Sequence, residues 1–456
     1  MDNLEVVPSP EMVLPNTAYE TAIRRVANPL FMEMVHTLHW PSLTVEWFPD
    51  FVADGEQEDK FSFHRLIMGT HTGEPQDHLL IAGVSLHKSF TGDDDMSSSD
   101  DEEEEDLDGS NNPFKSDLIL LQKINHEGAV NRARHMPRNP CLIATKTPSS
   151  DVLVFNYMIQ PNFPDPSGVC NPELRLKGHE KGGFGLSWNM IFEGKLLSAS
   201  ADQTVCMWDI NATPGGNRVI NAHSIFRGHT NTVADVAWHP QLVHLFGTVG
   251  FDEKWMMWDS RCSPKSILSI RAHSAGVTCI DFHPCHDYRL VTGSADKTVG
   301  LWDLRMPSLK VHSLGPGCHT AAVSQVHWSP HCKEVLASSD IDGGIYIWNI
   351  DKIGTIPEED RDAPPEFVDC HSGPWQKVND FSWNPNTPSV ICQVSEENIV
   401  EVFHSYSLKQ YVSARYGYNP CVNFLDLLNS GSTISENSVP SNNIQHNPIS
   451  STAHQF

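Results

Sequence analysis

Histidine, serine or threonine, and aspartate are the residue types of proton-transfer and nucleophilic sites, and here they recur in register with an aromatic residue. His126 precedes Phe155 by 29 positions. The same interval separates His179 from Trp208, His229 from Trp258, His273 from Trp302 and His319 from Trp348. Four blocks close on Trp208-Asp209, Trp258-Asp259, Trp302-Asp303 and Trp348-Asn349, each with an aspartate six positions before the Trp (Asp202, Asp252, Asp296, Asp342). A fixed spacing across blocks of different sequence means that one unit of three-dimensional structure is reused. His179, His229, His273 and His319 are therefore expected in structural ladders, not as catalysts or metal ligands. The chain carries no nucleophile–base pair, phosphate loop or metal-ligand spacing, so neither enzymatic activity nor a cofactor is expected.

The elements that hold these residues repeat as well. Each block has a Gly-His or Ala-His turn, then an alternating strand ending in an aromatic (Leu186-Ser187-Trp188, Val236-Ala237-Trp238, Val326-His327-Trp328). A strand of small residues follows (Leu196–Ser200, Leu336–Ser339), then an Asp-containing turn and an apolar strand through the Trp. This resembles the WD repeat, in which about 40–45 residues form one four-stranded propeller blade. In that family the turn His, the strand Ser or Thr and the Trp form a hydrogen-bonded ladder pinned by the Asp. A degenerate block from His371 to Phe403 and another from Phe61 to about Ile124 bring the count to seven.

The expected fold is all-β, a seven-bladed propeller over 40–404, with Trp40–Trp47 as the strand completing the last blade and removing its free edge. An N-terminal arm and helix occupy 1–39. Thr17 and Glu20 make a capping box, and Asn28-Pro29 start a second short helix bearing Leu30, Met34 and Leu38, with Phe31 and Val35 alongside. A helix is expected within 405–428 and a disordered Ser/Asn-rich tail over 429–456.

Composition bounds the partners. There is no apolar run near 18 residues and no secretory or transit pattern, so a soluble intracellular protein without membrane contact is expected. The 11 cysteines include no CxxC pair, and Cys206, Cys279 and Cys392 fall within strand patterns, as reduced core thiols do. A net charge of −26 argues against direct binding to nucleic acid and favours a basic protein partner. Eleven acidic residues and no basic one lie between Asp93 and Asp108, within a loop expected to interrupt the first blade over 88–116. This tract is either a solvated loop or a long-range attractor for a basic protein. Ser97, Ser98 and Ser99 each have an acidic residue three positions on, the pattern of an acid-directed kinase.

A more specific resemblance rests on Trp40-Pro41-Ser42-Leu43-Thr44, Gly69-Thr70-His71-Thr72 and Asn125-His126-Glu127-Gly128. Asn131-Arg132-Ala133-Arg134, Ala144–Asp151, Asp165-Pro166-Ser167-Gly168 and Phe381–Asn386 extend it. From Trp40 to Phe403 the chain is similar to the retinoblastoma-binding, histone-binding WD-repeat family, which includes the small subunit of chromatin assembly factor. The resemblance implies a monomeric, non-enzymatic subunit of chromatin assembly, remodelling, deacetylase or Polycomb-type complexes, nuclear, with the tetramer-forming core histones as partners.

It also implies two binding surfaces. One is a side groove holding a histone helix between the N-terminal helix (Leu30, Phe31, Met34, Val35, Leu38) and an acidic double-proline loop. In that loop Asp360, Asp362 and Glu366 would face ligand cations, beside Pro364, Pro365, Phe367 and Val368. The other is the propeller's top face, where the family captures a basic histone tail with a ring of carboxylates. Here His39, Ala129, Gly182, Ala234 and Ala322 stand where the family places acids. Thr278 replaces an amide, Ser324 an aromatic and Phe184 a Tyr, while Asn131, Arg132 and Glu396 remain. Each missing carboxylate removes a charge-assisted bond worth about 1.5–3 kcal/mol, so basic-tail binding there is expected to be lost or redirected.

Overall fold

The computed structural model describes residues 31–52, 61–73, 76–87, 118–211, 218–262, 265–315, 317–356, 363–372, 377–405 and 407–411. These form seven antiparallel sheets arranged as the blades of a propeller. Blade 1 is built from β2 (Val45–Val52), β3 (Phe61–Gly69), β4 (Asp77–His87) and β5 (Leu118–His126), in that order from axis to rim. Blade 7 takes three strands from the C-terminal side (Val378–Trp383, Val390–Ser395, Ile399–His404) and its outer strand, β1 (Phe31–Thr37), from the N-terminal side. Blade 2 carries a fifth strand, Val219–Asn221, which lies parallel to Leu174–Lys177.

The ring is thus closed by one N-terminal strand, but a different one from that expected. Trp47 belongs to the innermost strand of blade 1, and residues 31–37 close blade 7. The second short helix expected from Pro29 is therefore corrected to a strand. Met34 is buried and Val35 half exposed, an alternation of period two, and Met34 pairs with Val402 and Thr37 with Ile399. A nine-residue helix is marginal in water, whereas an open sheet edge supplies a full set of backbone partners. Leu30 lies outside the described residues, as do Thr17–Val26, the acidic tract and the chain beyond 411. Residues 407–411 are helical.

The apolar core lies between blades. Leu197, Ala199 and Val205 of blade 3 pack on Val233, Val236 and Trp238 of blade 4. At the closure Met34, Val400 and Val402 of blade 7 pack on Val45, Trp47 and Leu66 of blade 1. The polar ladders tie each blade internally. His229 bonds Asp252 through Nδ1 (2.9 Å) and Thr248 Oγ1 through Nε2 (2.8 Å), and Trp258 Nε1 donates to the same hydroxyl at 2.8 Å. Blade 5 repeats this with His273, Asp296, Thr292 and Trp302. Two ladders depart from the pattern. In blade 6 His319 takes Asp340 (3.2 Å) in place of Asp342, which instead accepts from Thr320. In blade 3 Ser198 Oγ accepts from the buried Lys146 Nζ at 2.8 Å, and Trp208 Nε1 donates to the Lys177 carbonyl.

Candidate protein-binding surfaces

The ladder histidines are buried and committed to their own blades, which leaves the two ends of the central channel and the rim as sites. The channel is blocked near its middle by a charged plug. The alternation Asn131-Arg132-Ala133-Arg134 at the start of blade 2's inner strand points both arginines to the axis, where they meet Asp380 from blade 7. Asp380 is fully buried. It accepts from Arg132 Nη1 (2.8 Å), Arg134 Nη2 (3.1 Å), Thr44 Oγ1 (3.2 Å) and the Val45 amide (3.0 Å). Burial opposes its ionisation, but the two guanidiniums outweigh that and hold the carboxyl below its usual range. Asp235 accepts from the Val236 and Ile280 amides, yet burial pushes it upward against the pull of Arg132.

Above the plug opens a cavity of about 690 Å³. It gathers the positions at which the resemblance leads one to expect acids: Gly182, Ala234 and Ala322 line it, with Phe184, Thr278 and Ser324. Phe184, Phe251 and Ile341 expose roughly half their surface around its mouth. Among the described residues lining it there is no carboxylate; the ionisable ones are Arg132 and Lys377. Arg132 is committed to Asp380 and to Gln325, whose amide oxygen lies 2.6 Å from the guanidinium. Asn131 donates to the Gly183 carbonyl. Glu396 lies opposite Lys377 at 3.2 Å, both well exposed. The geometry is that of an apolar collar over a satisfied polar floor, with nothing placed to receive a cluster of ligand cations.

At the side, the groove residues separate into two groups. Val35 on β1 is half exposed, and Leu38, Pro364 and Pro365 are partly so. Phe367, expected to face a ligand, is instead fully buried: it pairs with Trp348 across the sheet and packs edge-on against its ring at 5.7 Å. Glu366 is likewise buried and bonds His312 Nε2 at 2.9 Å. The reason is strand parity. Phe367 opens the outer strand of blade 6, and its register turns it inward to the core. Val368, one residue on, lies partly buried beside Leu408 and Tyr411 of the C-terminal turn of helix. That turn is tied by Ser405, whose Oγ donates to Asp369 at 2.8 Å and caps the Leu408 amide. Burial pushes the Asp369 carboxyl up to about 6. Met34 faces the core; the side chain of Phe31, together with Asp360, Asp362, Ser97, Ser98 and Ser99, lies outside what the structure describes.

The plug was not singled out from sequence, although Arg132 and Arg134 two apart on one strand face were the available signal. Asp380 gave none, because its partners lie some 250 positions away.

Comparison with known families assigns the parts. Residues 29–88 match the family of the histone-binding protein RBBP4 or its counterpart in the CAF1 complex. Residues 170–209, 221–259, 264–303 and 310–349 match the WD domain, G-beta repeat. The first match covers the closing strand β1 and the first three strands of blade 1; the others fall on blades 3 to 6, with the first starting just before blade 2's outer strand. With seven blades closed around one axis, the chain is a WD-repeat propeller of the RBBP4-like histone-binding family.

Proposed function

We propose that this protein is a non-enzymatic histone chaperone and scaffold subunit of nuclear chromatin assembly, remodelling, deacetylase or Polycomb-type complexes. In this reading it holds a helix of one tetramer-forming histone at its side and binds basic tails weakly or not at all at its top. The observation that carries the reading is the position of the histone-binding match. Its segment seals the ring at blade 7, next to blade 6, whose outer connection bears Asp360, Asp362, Pro364 and Pro365. Apolar contact falls to Val35, Pro364, Pro365 and Val368, while the carboxylates pair with ligand cations. Phe367 and Glu366 act from beneath, as the support of that wall. Weak tail binding is supported by the carboxylate-free cavity above Arg132.

A second reading, a propeller scaffold that no longer takes histones, is favoured by the burial of Phe367 and by the strand at 31–37. Co-elution with the tetramer-forming histones on a sizing column at about 0.5 M salt separates the two. Screening there falls to a few ångströms, so only fitted contacts survive. A stable complex is expected. Separate peaks would leave the scaffold reading.

A further inference from the structure

The outer edge of blade 1 carries an apolar surface that neither the ring nor the histone reading uses. On β5, Ile119, Leu120 and Leu121 are all exposed, flanked by buried Leu118 and Gln122. Three consecutive exposed residues are possible because Leu121 is a bulge, the extra residue between the pairs Ala82–Leu120 and Ile81–Gln122.

The connection after Asn156 then runs along the same edge. Gln122 Nε2 donates to the carbonyls of Tyr157 and Gln160 (2.9 Å each), the Lys123 amide to Asn162, and Asn125 to Asp165. Tyr157 is held by Arg65, 2.9 Å from its hydroxyl. A segment tied at five points nevertheless turns Met158, Ile159 and Phe163 outward, with 65, 68 and 85% of their surface exposed. Exposed apolar side chains on a fixed frame mark an interaction site, since a solvated loop gains nothing from them.

The structure assigns this surface to a protein partner: we infer that β5 and the 157–163 connection form a docking site for an amphipathic segment with an apolar face and flanking lysines or arginines. Charge selects the occupant. The chain carries −26, and eleven of its carboxylates, Asp93–Asp108, end ten residues before Leu118 in sequence. A second copy would bring an equal negative charge to the same edge, whereas a cationic segment is drawn to it. The bulge disrupts regular pairing along the free edge, so the contact is made through side chains and not by adding a strand.

The test uses the full chain and a 16-residue peptide with a leucine face and a lysine face, carrying a photoreactive group. Cross-linked positions are mapped by mass spectrometry at about 0.15 M salt. Two control peptides replace the lysines by glutamates or the leucines by serines. The expected result is cross-linking to residues 118–121 and 157–163 by the first peptide alone. In the variant Ile159→Asp/Phe163→Asp the yield falls at least tenfold with an unchanged melting temperature, because both side chains are largely exposed. Equal yield in that variant, cross-links confined to the side groove, comparable capture of the serine peptide, or dimers of the chain abolished by the double substitution would each overturn the assignment. The side groove's histone binding is read separately, in histone co-elution of the same variant, which should be unchanged.

Discussion

Replacing Asp380 by asparagine keeps the shape of the channel plug and removes its charge. Asp380 is the shared acceptor of Arg132 and Arg134, and all three groups are largely out of water. Breaking one partner of such a buried network costs about 3–5 kcal/mol, because the remaining charges stay buried without compensation. The asparagine amide would also point N–H groups at guanidinium N–H groups. With about 2.1 cal/mol/K of unfolding entropy per residue, a propeller of roughly 360 residues has an unfolding entropy near 0.75 kcal/mol/K, so the melting temperature should fall by about 4–7 °C. Differential scanning calorimetry at pH 7 reads this directly, with exposed Asp342→Asn as the reference. The pH dependence follows from the sign of the shift. The folded carboxyl titrates below the unfolded one, so its contribution is complete above the unfolded value, near 4, and is lost as pH falls toward the folded value. The gap between wild type and Asp380→Asn should therefore narrow below about pH 4. A fall under 1 °C at neutral pH, or a gap that widens in acid, would refute the plug as a structural charge network.

Four further outcomes are expected. Thr248→Val strips the acceptor shared by His229 and Trp258 and should cost about 2–4 kcal/mol in urea unfolding, whereas a loss under 1 kcal/mol would mean the ladder is ornamental. Lys146 is pushed down to about 7 by burial, so the folded state holds its amine neutral while the unfolded chain keeps it charged up to its usual 10.5. Stability should rise between pH 7 and 10 by up to a few kcal/mol, and Lys146→Met should flatten that rise in pH-resolved melts. Val35→Asp should weaken histone co-elution at an unchanged melting temperature, while Phe367→Lys should lose about 3–5 kcal/mol of stability through the core; the reverse pattern would put Phe367 at the surface. Ala234→Glu/Ala322→Glu should return two carboxylates to the top cavity and tighten an unmodified basic histone tail about 100-fold or more by calorimetry, with no change counting against the account of the missing ring.

Much of the fold was legible because propeller stability is local and repeated. The intervals from His229 to Trp258 and from His273 to Trp302 report hydrogen bonds made within one blade, whose partners all lie within 30 positions. Periodicity also placed Phe381–Trp383 in the degenerate seventh blade, since an alternating strand ending in an aromatic reads the same without its Trp-Asp. Residues 31–37 misled for an equally local reason. Asn28-Pro29 is a good helix start, but pairing with Ile399–His404, more than 360 residues away, outweighs the propensity of a short segment.

Sequence by itself determined the repeated unit, the number of blades, the acidic character and the erosion of the top ring, because each depends on residue type at a position or on spacing within about 45 residues. Tertiary structure alone decided which strand closes the ring, that Asp380 stands between Arg132 and Arg134, that Phe367 faces inward, and that Met158, Ile159 and Phe163 share a face with Ile119–Leu121. Those facts depend on ring closure and on strand parity, and a one-residue change of register reverses the direction of every side chain while leaving the sequence pattern intact.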